Sequence, residues 1–142
     1  MKKFIAIVFI GIFSVFTVMA QDVTGTWKTI DDESGEAKSY VEIYKRDGKV
    51  YGKVTKILNP EKQDAICVDC PEWADGKPIL GLEIIKGLEK DDEEYNDGEI
   101  LDPNSGKVYD CYIELIEPDK LKVRGFIGFS LLGRTQYWYR VK

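Results

Sequence analysis

Beyond residue 23 the chain repeatedly alternates apolar and polar residues with a period of two, the spacing of a strand with one buried face. Residues 24–30 (TGTWKTI), 38–45 (KSYVEIYK) and 49–58 (KVYGKVTKIL) carry this pattern and predict a three-strand meander. Asp47-Gly48 between the second and third is a strong hairpin signal. Residues 79–88 (ILGLEIIKGL) predict a fourth strand, because Gly81, Gly87 and the β-branched residues argue against helix. Residues 89–94 (EKDDEE) read as an acidic turn, followed by a short strand over 98–101. In 107–116 Tyr109, Cys111, Ile113 and Leu115 share a face, and in 121–127 Leu121, Val123, Gly125 and Ile127 share one, with Lys122, Arg124 and Phe126 opposite. A corner at 130–133 precedes a last strand over 135–141. The turns at 102–106 and at Pro118-Asp119 contain the Pro, Gly, Asn and Asp that such geometry needs. These elements predict an all-β fold, a single antiparallel up-and-down barrel of about eight strands.

Residues 59–78 break the period. An irregular stretch longer than about 12–15 residues is functional, tied down or disordered. Cys67 and Cys70 suggest that this loop is tied down. A local Cys67–Cys70 disulfide is the favoured reading, with thiol–disulfide exchange, metal binding and a bridge from Cys111 to either cysteine as alternatives. Exchange chemistry usually places the first cysteine at a helix N-terminus, and no such helix is predicted.

Composition changes the picture in three ways. Residues 1–20 have the form of a signal peptide: Lys2 and Lys3, an apolar run, then Val18-Met19-Ala20. Cleavage there would leave residues 21–142 as a single exported domain, periplasmic or secreted, with no membrane insertion after cleavage. Without Lys2 and Lys3, the 20 basic residues fall to 18 against 25 acidic, a net charge of −7. That balance argues against nucleic acid as a partner and against an electrostatic grip on anionic lipid. The chain also has no histidine, which removes Ser-His-Asp and Cys-His constellations and histidine metal sites. No catalytic residue, metal site or cofactor is expected from the pattern.

Gly25-Thr26-Trp27 on the first strand resembles the start of lipocalins and of other small ligand-binding barrels, streptavidin-like in layout. The resemblance implies a structural role for Trp27, covered by an arginine of a late strand: Arg140, or alternatively Arg124. Several further blocks occur in order along the chain: Gly25-Thr26-Trp27-Lys28-Thr29, Cys67-x-x-Cys70, Lys77-Pro78-Ile79-Leu80-Gly81 and Gly98-Glu99-Ile100-Leu101-Asp102-Pro103. Gly106-Lys107-x-Tyr109, Arg124-Gly125-Phe126-Ile127-Gly128 and Leu131-Leu132-Gly133-Arg134-Thr135-Gln136 followed by Trp138 complete them. Together they resemble the bacterial domain of unknown function family 2147. That resemblance implies an exported small β-barrel and no assigned activity, so it supplies no catalytic residue.

The candidate ligand-binding residues are Glu42, Tyr44, Arg124, Arg134, Gln136 and Trp138, which place charge beside aromatic rings. Pointing inward, they would line a pocket for a small anionic or aromatic ligand. Pointing outward, they would form cross-strand pairs on a solvated face. The first functional expectation is therefore a non-catalytic small-ligand barrel. The second is a filled barrel that meets another envelope protein through an apolar patch near Trp73 or Phe129–Leu132. An enzyme using paired strand carboxylates has the least support.

Overall fold

The computed structural model describes residues 10–12 and 22–142. The expected leader, apart from those three residues, lies outside the described residues. Eight strands follow in order: β1 Gly25–Ile30, β2 Ala37–Arg46, β3 Lys49–Ile57, β4 Glu83–Asp91, β5 Glu94–Leu101, β6 Val108–Glu117, β7 Lys120–Phe126 and β8 Gly133–Arg140. Each pairs antiparallel with the next, and β8 pairs with β1 to close the barrel. Closure removes the exposed edges that an open sheet would leave.

Alternation selects the interior. Val41 and Ile43 of β2, Val50 and Val54 of β3, Ile113 of β6, and Leu121 and Val123 of β7 are all buried. Their neighbours in sequence therefore point outward. Cys111 lies in this core as a free thiol, and burial pushes its pKa up to about 12.

The two ends differ. At one end the hairpins are two residues long: Asp47-Gly48, Asp92-Glu93 and Pro118-Asp119. At the other the connections run over 31–36, 58–82, 102–107 and 127–132. Short turns close one end, and long loops frame an opening at the other.

Two expectations change. Residues 89–94 do not form a turn: Glu89 and Lys90 pair with Asn96 and Tyr95, and only Asp92-Glu93 reverses the chain. Asp92 takes a left-handed φ of 53°, which aspartate tolerates better than most residues. The side chains of residues 89–93 are exposed on both faces of this end of the hairpin, so a charge run and a strand coexist. Conversely, residues 79–82 belong to the loop. Gly81 has φ +88°, and its N–H donates to the Val54 carbonyl at 2.7 Å, turning the chain into β4.

The long loop is held by its own bonds. Cys67 and Cys70 form a disulfide, and Cys111 takes no part in it. Cys67 N–H donates to the Lys77 carbonyl and Gly76 N–H to the Cys67 carbonyl, both at 2.8 Å, while Cys67 and Ala74 are fully buried. The loop rests on the β5–β6 connection so closely that a Cβ on Gly106 would lie 2.2 Å from the Asp69 carbonyl oxygen.

Candidate functional site

At the closed end, Trp27 fills the barrel floor with no exposure, and its indole N–H donates to the Val23 carbonyl at 2.9 Å. Arg140 lies opposite Trp27 in the β1–β8 register, its guanidinium carbon 4.4 Å from the ring centroid. The guanidinium donates to the carbonyls of Thr24 and Asp22 at 2.8 Å and of Pro118 at 3.0 Å. It thus ties the start of the barrel, its end and the β6–β7 turn into one knot. Gly25 makes room for it: at φ +129° its missing Cβ would lie 2.7 Å from an Arg140 Nη. The Gly-x-Trp spacing is therefore steric as well as aromatic. Nearby, burial would raise the Asp22 carboxyl, but hydrogen bonds from Thr24 and Lys45 outweigh it and lower the pKa to about 2.

The open end contains a cavity of about 390 Å³. Val54, Ile57, Ile79, Ile84, Ile100 and Val123 give it apolar walls, with Tyr109 and Trp138 as aromatic ones. Gly125 leaves part of the wall bare: a Cβ there would sit 3.3 Å from Cβ of Tyr109 and 3.5 Å from a methyl of Ile100. The rim is polar and of mixed charge, with Asp31, Glu33, Lys38, Lys62 and Asp102.

A ladder of hydrogen bonds climbs one wall. The indole N–H of Trp138 donates to Gln136 Oε1 at 3.0 Å, and Gln136 Nε2 donates to Asp32 Oδ1 at 3.1 Å. Arg134 grips the same carboxylate with two donors, at 2.9 and 2.6 Å. β8 aligns these residues because Trp138, Gln136 and Arg134 share its inward face. The Arg134 guanidinium holds the Asp32 carboxyl below the ordinary aspartate range, and Asp32 in turn raises Arg134. Among the described residues, no buried side-chain polar atom lacks a partner, so the wall is satisfied without a ligand.

The sequence candidates therefore divide. Arg134, Gln136 and Trp138 line the cavity. Glu42, Tyr44 and Arg124 do not: they flank the inward Val41, Ile43, Val123 and Gly125, and so they face out. Tyr44 donates to Glu83, which Arg46 also binds at 3.1 Å, and stacks with Tyr51 at 6.2 Å. Burial and the Glu83 carboxylate push the Tyr44 pKa up to about 12. Arg124 donates to the Ser130 carbonyl at 2.7 Å and to Thr135 Oγ1 at 2.8 Å, bracing the β7–β8 loop. Arg140, rather than Arg124, covers Trp27. The pattern also missed Asp32, which reads as a turn residue and meets Arg134 across 102 positions. Among the described residues, no group of three or more His, Cys, Asp or Glu converges as a metal site.

Comparison with known proteins bears on the fold. A solved structure described as protein HP1028 from the human pathogen Helicobacter pylori, of the lipocalin family, is similar over 85% of this chain and 84% of its own. The TM-score is 0.69 at 17% identity, a likeness of fold. A redesigned β-barrel aligns over 84% of this chain and 91% of its own, at 17% identity and a TM-score of 0.47. No curated protein matches. The family model for uncharacterized proteins conserved in bacteria, DUF2147, matches residues 25–140, from the glycine that admits Arg140 to Arg140 itself, and the chain belongs to that family.

Proposed function

We propose that the protein is an exported, non-catalytic carrier that holds one small, mainly apolar or aromatic molecule at the open end of its barrel. The observation that carries this reading is the cavity of about 390 Å³ with aliphatic and aromatic walls. It falls in the range of roughly 300–1,000 Å³ typical of small-molecule sites. A filled structural barrel would have side chains where this space lies. The aromatic or apolar ligand is favoured over the anionic one because Arg134, the arginine lining the cavity, is already paired with Asp32. An incoming anion would have to displace a bidentate carboxylate. Gln136 keeps a second N–H and a second oxygen lone pair along the wall, which suit a neutral polar group on the ligand. Export is supported by the signal-like pattern of residues 1–20 and by a disulfide, which persists in oxidising compartments.

The test is a fluorescence titration with the neutral probe N-phenyl-1-naphthylamine against the wild type and Gly125→Leu, whose new side chain would occupy the cavity. The expected result is saturable enhancement at one site per chain, lost in the variant. Equal enhancement in both, or none in the wild type, would refute the carrier reading.

A further inference from the structure

The barrel's exposed apolar side chains are distributed unevenly between its two ends. The β7–β8 loop, residues 127–132, exposes Ile127 at 63%, Phe129 at 72%, Leu131 at 89% and Leu132 at 65%. The long loop, which enters the same end from β3 and β4, adds Ile66, Val68 and Leu80, also exposed. All of these lie at the open end. The hairpins of the closed end present Asp47, Asp92, Glu93 and Asp119 instead, with Ile116 as a single exposed aliphatic side chain beside the last of them. An apolar group of this size has a use or is a liability in water, and its asymmetry gives the molecule a direction.

The loop is built rather than slack. Ile127 N–H donates to the Leu132 carbonyl at 3.1 Å, and Leu132 N–H to the Phe129 carbonyl at 3.0 Å. Arg124 holds the Ser130 carbonyl from beneath, and Gly128 turns the chain at φ +73°. Gly133 brings it back so closely that a Cβ there would lie 2.2 Å from the Gly125 carbonyl oxygen. These bonds spend the loop's polar groups on one another and leave its apolar side chains pointing away from the barrel. Gly125 and Arg134, on either side of the loop, line the cavity.

We propose that this loop docks the barrel, mouth first, on a lipid surface with neutral headgroups. A bilayer is favoured over a protein partner by the form of the tip. The tip's backbone groups bond one another and its four apolar side chains stand exposed on six residues, and insertion of such a tip into lipid needs no complementary shape. Neutral headgroups are favoured by charge. The β1–β2 turn beside the loop carries Asp31, Asp32, Glu33 and Glu36, so attraction to anionic lipid is absent where contact would occur. The contact is peripheral and involves no spanning segment. Docking in this direction sets the cavity against the membrane, where an apolar molecule could pass between lipid and protein without crossing water. The docking itself rests on the loop and stands apart from the carrier reading.

The test is flotation of residues 21–142, which contain all eight strands and both barrel ends, with vesicles. One set is phosphatidylcholine alone, the other phosphatidylcholine mixed with phosphatidylglycerol. The wild type should float with the neutral vesicles at least as well as with the mixed ones, and high salt should not release it. Half-burial of a Leu or Phe is worth about tenfold in partitioning, so Phe129→Ser with Leu131→Ser should lower the partition coefficient about a hundredfold. Circular dichroism should stay unchanged, because both side chains are solvent-exposed. As a second readout, Phe129→Trp should show blue-shifted emission on neutral vesicles. The proposal is overturned if the wild type does not float, if the double variant floats equally well, or if flotation requires anionic lipid and is lost in salt. Self-association that depends on the tip and occurs without lipid would assign the loop to a second copy and overturn it too. A wild type that floats but takes no naphthylamine refutes the carrier and leaves the docking; one that takes the probe and does not float does the reverse.

Discussion

Replacing Arg140 with alanine should open the barrel floor, and the size of the loss can be worked from its contacts. The guanidinium stands 4.4 Å from the Trp27 centroid, a contact worth about 0.5–2 kcal/mol. It also supplies donors to three backbone carbonyls, those of Thr24, Asp22 and Pro118. Hydrogen bonds to a charged group contribute about 1.5–3 kcal/mol each where water is excluded. Here the arginine side chain keeps 16% exposure and its partners sit at the end of the barrel, so water can replace part of each bond. Discounting each bond to about 1 kcal/mol for that rehydration and taking about 1 kcal/mol for the ring gives an expectation of about 4 kcal/mol. Arg140→Lys should recover less than half of this, since an ammonium cannot reach three carbonyls in the same plane. Urea unfolding followed by circular dichroism measures both, and a cycle with Trp27→Leu, which removes the ring, isolates the ring contact. A loss below about 1 kcal/mol for Arg140→Ala would refute the view that this knot holds the barrel shut.

Two further outcomes follow from the same coordinates. Asp32 has its carboxyl lowered by Arg134 from an ordinary value of 3.8, so the stabilisation it gives is present above that value and is lost as pH falls through the lower folded one. Because Arg134 is half-exposed, Asp32→Asn should cost only about 1 kcal/mol near neutral pH, and the gap to wild type should close in acid; a constant gap across the acid limb of a denaturation series would contradict this. Gly106→Ala should lower stability by about 2–3 kcal/mol, combining a left-handed φ with a clash against Asp69, while Gly35→Ala, at φ +73° with open space around it, should cost about 1 kcal/mol or a little more. Equal melting temperatures for the two variants would show that the long loop does not press on the β5–β6 connection.

Much of the barrel is legible from alternation, because strands such as β2 and β7 carry aliphatic residues on one face alone. The acidic hairpin was less so: Glu89 to Glu94 looks like a turn when charge is read as a sign of turns, yet the exposed end of a hairpin accepts charge as readily as a loop does. The cavity residues were half legible. On β8, aromatic residues occupy both faces, Trp138 on one and Tyr137 and Tyr139 on the other, and only the burial of Trp138 decides that Gln136 and Arg134 look inward. Glu42 and Tyr44 could have been set aside from the sequence, since Val41 and Ile43 claim the inward parity of β2. Asp32 was out of reach, because nothing local tells a turn aspartate that its partner is on the last strand.

The binding site at the open end is tested most directly by the indole N–H resonances of the ¹⁵N-labelled protein during titration with N-phenyl-1-naphthylamine. Trp138 lines the cavity and donates to Gln136, whereas Trp27 donates to Val23 at the opposite end. The account predicts a saturable shift of the Trp138 indole, with amide shifts at Ile100, Val123 and Gly125, and a Trp27 indole that stays in place. A Trp138 signal that does not move while the outer-face residues around Tyr44 and Glu83 do would contradict it.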